Sequence, residues 1–511
     1  STLFPYTTLF RSLNQYQTLS YVLFTKIIVK PSFFNQNLTF VSLNIIDMHD
    51  KTVNKNLVLV LVMITSFITP FIGAAVNLAL PKISEDFHLN AIEMSWVTMS
   101  YLLSSAVFLV PIGKLADIVG RKRIFFWGNI ILVISSLLCA LSFSGDILIF
   151  FRVLQGIGSS MVFATGMALV TSVFPPNERG KAIGLNVTAV YIGLSAAPLI
   201  GGFMISWFGW HSLFYVPVII GLPSAIITRI SIRTEWAEAK NESFDLKGSL
   251  IYVPSMSVFM YGFSKLPDTL AIILTIIGLV GLIVFIRIEL KVNSPVLNIS
   301  LFKTNKLFAF ANLAALINYA TTFAVTFVLS LFLQYVKGLS PREAGMILVT
   351  QPIVMAVFAS WAGKLSDKYD PRILASSGMA ISAIGLLMLT PINQNTSVIY
   401  LISTLIVLGL GFGLFSSPNT NSIMGSVEKK FLGLASGTVG TMRLTGQMVS
   451  MGIATMIIHI YINKDNITAQ NHQQFIWAIG TIFLVFVLLS VVGVWASLKR
   501  GKNNAIIKAS E

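Results

Sequence analysis

Apolar runs of about 20 residues, the length that crosses a bilayer, recur along this chain, each closed by a short polar or charged link. Fourteen can be marked, at 57–80, 95–113, 124–143, 147–170, 183–205, 211–231, 248–264, 269–288, 308–334, 344–362, 372–391, 397–418, 433–461 and 475–498. The run 248–264 is the shortest and the least apolar. The pattern predicts an all-α integral membrane protein, because only a helix satisfies its own backbone groups in lipid while spanning it once. Residues 1–47 hold no run of that length and no basic–apolar–small order of a signal peptide. They are expected to be a non-native or disordered extension, with Met48 as the natural start; a genuine amphipathic extension is the alternative.

The basic residues fix an orientation. With the segment before Leu57 placed inside, twenty-five of the 35 lysines and arginines fall in inner links and five in outer links. Positive charge on the cytoplasmic side is the rule for membrane proteins, so an even number of spans with both termini cytoplasmic is expected. The net charge of +15 is then a topology signal and not a nucleic-acid surface. With 55% hydrophobic and 11% charged residues, the composition also lies far from a soluble domain, which carries about 25% charge. The single cysteine, Cys139, excludes an intrachain disulfide and a cysteine metal cluster.

One link carries more than anchoring charge. Gly113 to Arg123 reads G-K-L-A-D-I-V-G-R-K-R, and Gly363 to Arg372 repeats it, worn, as G-K-L-S-D-K-Y-D-P-R. Such a repeat implies two related halves. The copies follow spans 2 and 10, an offset of eight, so spans 7 and 8 read as an inserted pair. The expected organisation is a six-helix bundle over 48–231, an inserted pair over 248–289, a second six-helix bundle over 308–498 and a cytoplasmic tail over 499–511. Asp117 is placed to pair with Arg121 and to cap the following helix, with Gly113, Gly120 and Arg123 completing a gate that locks one packing of the halves. Asp367 is its counterpart in the second half, where Asp370 replaces the glycine. Plain inside anchoring is the competing reading.

Other positions stand out. Gly193, Ala197 and Gly201 are spaced by four and share a helix face that lets two membrane helices approach closely, and Pro198 can kink that helix. Arg152 lies within span 4 with Gln155 one turn on, and either organises a buried polar network or snorkels to the interface. Arg443 lies deeper, in span 13, as a lining or coupling residue. No acid occupies mid-span, so the end-of-span acids Asp146 and Glu343 are the nearest proton carriers. Among polar span residues, Asn77 and Gln351 lead as substrate-cavity candidates. His211 reads as a solvated loop histidine.

These residues together resemble the major facilitator superfamily, and within it the fourteen-helix drug:proton antiporter branch (EmrB/QacA type, with tetracycline exporters as relatives). Gly113, Leu115, Asp117, Gly120, Arg121, Lys122 and Arg123 match the loop 2–3 motif; Arg152, Gln155, Gly156 and Gly158 match the span 4 motif; Gly193, Pro198, Gly201 and Gly202 match the antiporter motif of span 5, with Ala197 for one glycine. Phe244 and Asp245 with Gly248, Pro295 with Leu301 and Phe302, and Leu333 to Gly345 also resemble this branch. The branch's span 1 aspartate is replaced by Ile72, a departure that tetracycline-exporter relatives tend to share and that leaves neither cation selectivity nor proton coupling expected through that position. The resemblance implies a major facilitator fold and secondary active efflux of drugs or other small amphipathic compounds by proton antiport in the plasma membrane, as a monomer, with no cofactor. A transporter of a defined metabolite is the alternative. The chain has no G-x-x-x-x-G-K-[ST] loop to bind ATP, no H-E-x-x-H or G-x-S-x-G enzyme motif, and no soluble output domain of a sensor.

Overall fold

The computed structural model describes residues 54–240, 242–292, 295–297, 299–366, 369–427, 432–462 and 467–501. The expected extension 1–47, Asp367 and nearly all of the tail lie outside these. The described residues form fourteen long helices: α1 Lys55–Phe87, α2 Ala91–Val119, α3 Arg121–Ala140, α4 Gly145–Val173, α5 Pro176–Phe208, α6 Ser212–Ser231, α7 Leu246–Ser264, α8 Thr269–Glu289, α9 Lys306–Val336, α10 Pro341–Leu365, α11 Pro371–Leu389, α12 Val398–Gly425, α13 Leu432–Ile462 and α14 His472–Lys499. Thirteen are long and apolar enough to cross a membrane. The exception is α7, where four serines, two tyrosines and Pro254 dilute its 19 residues.

Local sequence explains where the helices begin. Asn54 Oδ1 accepts from the amides of Asn56 and Leu57 at 3.1 Å each. Asn90 with Glu93 and Ser340 with Glu343 form reciprocal capping boxes at α2 and α10. The helix α1 runs past Pro81 to Phe87, beyond the apolar run, and ends where His88 turns left-handed at φ 53°.

Two helices are interrupted. In α9 the regular helix stops at Thr322, resumes over Ala324–Leu331 and passes into a π turn at Phe332–Val336. The Ala324 amide donates to Ser450 Oγ of α13 at 3.0 Å. A neighbouring hydroxyl thus serves a main-chain group at an interruption where lipid cannot. In α10 the helix is interrupted at Val349.

The helix pairs reproduce the duplication. Within the first half α1 packs on α5, α2 on α4, α3 on α4 and α3 on α6; eight helices later α9 packs on α13, α10 on α12, α11 on α12 and α11 on α14. The inserted α7 packs along α8 and touches α2 and α13. Trp96 and Tyr261 meet there at 5.3 Å, and Gly452 faces Met260 and Phe263. Only 17% of the most apolar stretch of α8 is buried, the least of the thirteen.

The halves meet along α1–α9, α2–α13 and α5–α10. Helix α5 engages chiefly the first stretch of α10, Pro341–Leu348. This lies at the end of the bundle opposite the Gly113–Arg123 loop. Towards the loop end, Gly184 of α5 and Gly437 of α13 face open space.

Candidate functional site

The Gly113–Arg123 loop is the most heavily charged node of the molecule. Arg121 Nη2 lies 2.8 Å from Asp117 Oδ1, and its Nε donates to the same oxygen at 2.9 Å. The guanidinium also donates to Ser172 Oγ of α4 at 2.7 Å, and to both Glu238 oxygens at 2.7 and 3.0 Å. The side chain is 8% exposed. The pair expected from sequence is therefore present. The cap is not: the start of α3 is held by Glu235, which accepts from the Lys122 amide at 2.8 Å and the Arg123 amide at 3.2 Å. Asp117 cannot serve there because its carboxylate is committed to Arg121. Gly120, at φ 125°, adopts a backbone conformation that side chains avoid, and a methyl there would strike Glu235. Lys114 pairs with Glu242, and the Asp117 carbonyl accepts from the Ala239 amide at 3.0 Å. The acids Glu235, Glu238 and Glu242, which the sequence did not single out, form a clasp over the loop. Arg123 is exposed and Gly113 is loosely packed, with Ala164 Cβ 3.9 Å from where its own would stand.

The small face of α5 packs as its spacing predicts. A methyl at Gly193 would collide with the Phe67 carbonyl, and one at Gly201 would lie 3.0 Å from Ala75 Cβ. Gly202 turns to the other half, where a side-chain methyl would stand only 2.7 Å from the Pro341 carbonyl oxygen, and Gly345 abuts the Pro198 carbonyl. Pro198 thus stands where α5 crosses α10.

Aromatic and cationic side chains cluster inside the first half and at its seam with the second. Arg152 is fully buried, so it does not snorkel. Its Nε donates to the Val97 carbonyl at 2.9 Å, its Nη1 to Gln155, and its guanidinium lies 4.3 Å from the Tyr101 ring centre. Gln155 in turn donates to Ser136 Oγ at 2.6 Å. Tyr101 bonds the Thr69 carbonyl at 3.1 Å and Ser159 Oγ at 2.9 Å, tying α1, α2 and α4. Across the seam, Arg443 of α13 stacks its guanidinium 4.3 Å from the Phe163 ring of α4. Tyr191 of α5 and Ser416 of α12 share a 2.6 Å hydrogen bond. Tyr101, Tyr191 and Tyr319 all lie within electrostatic reach of Arg443.

A family model described as Major Facilitator Superfamily matches twice, over residues 62–310 and 311–510, once for each half. The chain belongs to the Major Facilitator Superfamily. It is 32% identical to the riboflavin transporter RibZ of Clostridioides difficile over 392 residues, 76% of this chain and 85% of that protein. It is 27% identical to the multidrug resistance protein Stp of Mycobacterium tuberculosis over 395 residues, 76% and 73% of the two chains. Among solved structures, an inward-facing, unoccupied bacterial homolog of the human lysosomal transporter Spinster superposes with a TM-score of 0.62 at 16% identity, covering 89% of this chain and 98% of that one. At that identity the likeness is one of fold. This facilitator is a multi-pass membrane transporter.

Other expected site residues lie in quieter places in this facilitator. Asn77, expected to line a cavity, is 1% exposed; its Oδ1 accepts from Thr98 at 2.8 Å and its carbonyl from Ser330 of α9 at 3.0 Å. It belongs to the seam between halves because its polar atoms are already used there. Gln351 is buried on α10, its carbonyl against Gly409 of α12. Asp146 is exposed in the first turn of α4, and Glu343 accepts from the Ser340 amide and hydroxyl at 2.9 and 2.8 Å. Neither is a buried carboxyl. The one acid in the buried class among the described residues is Glu289, at 3% exposure. Its Oε2 accepts from the Leu297 amide at 3.1 Å, while its Oε1 and Asp245 Oδ2 converge on Gly248 without partners of their own. His211 is stacked on Trp210 at 3.7 Å, and burial lowers its pKa against the opposing pull of Asp86.

Proposed function

We propose that this facilitator is a secondary active exporter of drugs and other small amphipathic compounds, working as a monomer of the fourteen-helix drug:proton antiporter branch. One observation carries the reading: two equivalent bundles touch at backbone distance where α5 crosses Pro341–Gly345, while Gly184 and Gly437 near the loop end face open space. Such a body can rock, exposing its centre to one side and then the other. With the basic loop end cytoplasmic in the plasma membrane, as the positive-inside rule requires, both termini are cytoplasmic and the conformation is open inward. The Asp117–Arg121–Glu238 node ties α2, α3, α4 and the α6–α7 link, and works as the gate whose partners change between states. Inward proton flow supplies about 2.3 kcal/mol per 100 mV of potential.

A second reading, a transporter dedicated to one metabolite, draws support from the 32% identity to a riboflavin transporter. Both readings are tested in everted membrane vesicles carrying the full chain. The exporter reading expects uptake of several unrelated amphipathic dyes, abolished when the pH gradient is collapsed. Uptake of a single compound class favours the second reading, and uptake that survives the collapse removes proton coupling.

A further inference from the structure

The interior of the bundle carries two arginines, and no acid among the described residues pairs with either. Arg152 is fully buried and bonded to neutral groups, a carbonyl and an amide. Arg443 is half-buried, stacks on the Phe163 ring and makes no hydrogen bond or ion pair among the described residues. The buried acid Glu289 belongs to α8, beside Asp245 at the start of α7, and faces neither arginine. An intramembrane arginine is costly unless something answers its charge. Arg152 donates to two groups and lies against the Tyr101 ring, with its Nη2 left without a hydrogen-bond partner. Arg443 makes no hydrogen bond or ion pair among the described residues, and its planar fork of donors lies on the Phe163 ring of the other half, in the region that also holds Tyr101, Tyr191 and Tyr319. Among the described residues no carboxylate there offsets the two guanidiniums, which disfavour a cation.

We propose that the central site takes planar aromatic anions, the negative group on the Arg443 fork and the ring system against Phe163 and the flanking phenols. This rests on the reading that cargo binds between the halves. A carboxylate or phenolate accepts two parallel N–H bonds from one guanidinium, and the ring satisfies the remaining apolar and aromatic surface. The cargo then completes the charge balance that the protein leaves open.

The test uses two dyes with the same three-ring core and opposite charge, fluorescein and rhodamine 123, titrated against the purified full chain in detergent by fluorescence anisotropy. Fluorescein is expected to bind at least about tenfold more tightly, the order of one hydrogen-bonded charge pair. Arg443→Gln should abolish that preference, and Arg443→Lys, which keeps the charge and loses the fork, should retain part of it, with melting temperatures confirming that both variants are folded. If Arg443→Gln does not fold, the wild-type comparison with Arg443→Lys carries the test. Equal binding, a preference for rhodamine 123, binding of neither dye, or an unchanged preference in Arg443→Gln would overturn the proposal. Because no gradient exists in micelles, a failure of export in vesicles leaves this result standing, and export of rhodamine 123 without fluorescein binding sinks this proposal alone.

Discussion

The two halves brace the start of their third helix from the same direction with opposite chemistry. In the first half, the segment after α6 returns to α3: Glu235 caps it, Glu238 holds Arg121, and the Arg121 amide donates to the Trp236 carbonyl at 2.8 Å. In the second half, the residue after α14 returns to α11: Arg500 donates to the Pro371 carbonyl and, at 2.8 Å, to Asn419 Oδ1 of α12, while Asp370 caps α11 by accepting from the Arg372 amide at 2.9 Å. Duplication kept the place of the contact and not its charges. Exposure separates them further. Both guanidiniums are buried, Arg121 at 8% and Arg500 at 2%, but the acids that hold Arg121 are open to solvent, Glu238 at 65% and Asp117 at 39%, whereas Asn419 beside Arg500 is 2% exposed. Solvated ion pairs are individually weak, so the first brace can be made and broken. A buried guanidinium with neutral acceptors is a fixed rivet, although burial pulls its pKa down to about 10.

The contrast breaks first at the rivet. Arg500→Ala should lower stability by about 3 kcal/mol, the scale of losing a buried hydrogen-bonded group, read as a fall in melting temperature in detergent. An unchanged melting temperature would mean that the second brace is as dispensable as the first. Next, Arg121→Gln should slow transport at least about tenfold while leaving melting nearly unchanged, because a gate that no longer latches costs rate more than folding. Glu238→Gln, which removes one exposed partner, should cost less than about threefold. Equal losses from the two would dissolve the hierarchy. The smallest effect is ionic. Raising salt to 1 M cuts the screening length to about 3 Å, and hydrogen exchange over 235–242 should accelerate while the Arg372 amide is unmoved. Equal response at both sites would deny the difference between a solvated clasp and a buried one.

Much of this architecture is written locally. Runs of apolar residues mark every long helix, α7 included, local caps mark several of them, and the repeat of Gly113–Arg123 at Gly363 gives the expectation of an inserted pair. The small face of α5 follows from its four-residue spacing. What escapes is what folding brings from afar. Glu235 and Glu238 lie more than a hundred residues along the chain from the amides and guanidinium they hold, and three acids in a polar link carry no local sign of their partners. A complementary basic loop beside an acidic link was the available hint. Glu289 escaped for a related reason: it stands at the end of α8, where sequence suggests solvent, and Gly248 with Leu297 covers it. Arg152 was ambiguous in sequence between interface and interior, and only the ring of Tyr101 and the carbonyl of Val97 decide it. Asn77 shows the converse. A polar residue in a span suggests a lining, yet a seam between two halves consumes polar groups too.

Where Gly202 meets Pro341 and Gly345 meets Pro198, no side chain separates the main chains, so neither helix has depth left to sink into the other. Relative movement there is confined to rolling about the point of touch, with amplitude growing along the length of each helix. The crossing is a fulcrum: a rotation of a few degrees that barely stirs it is magnified into an ångström-scale displacement at the far ends, beside the charged loop.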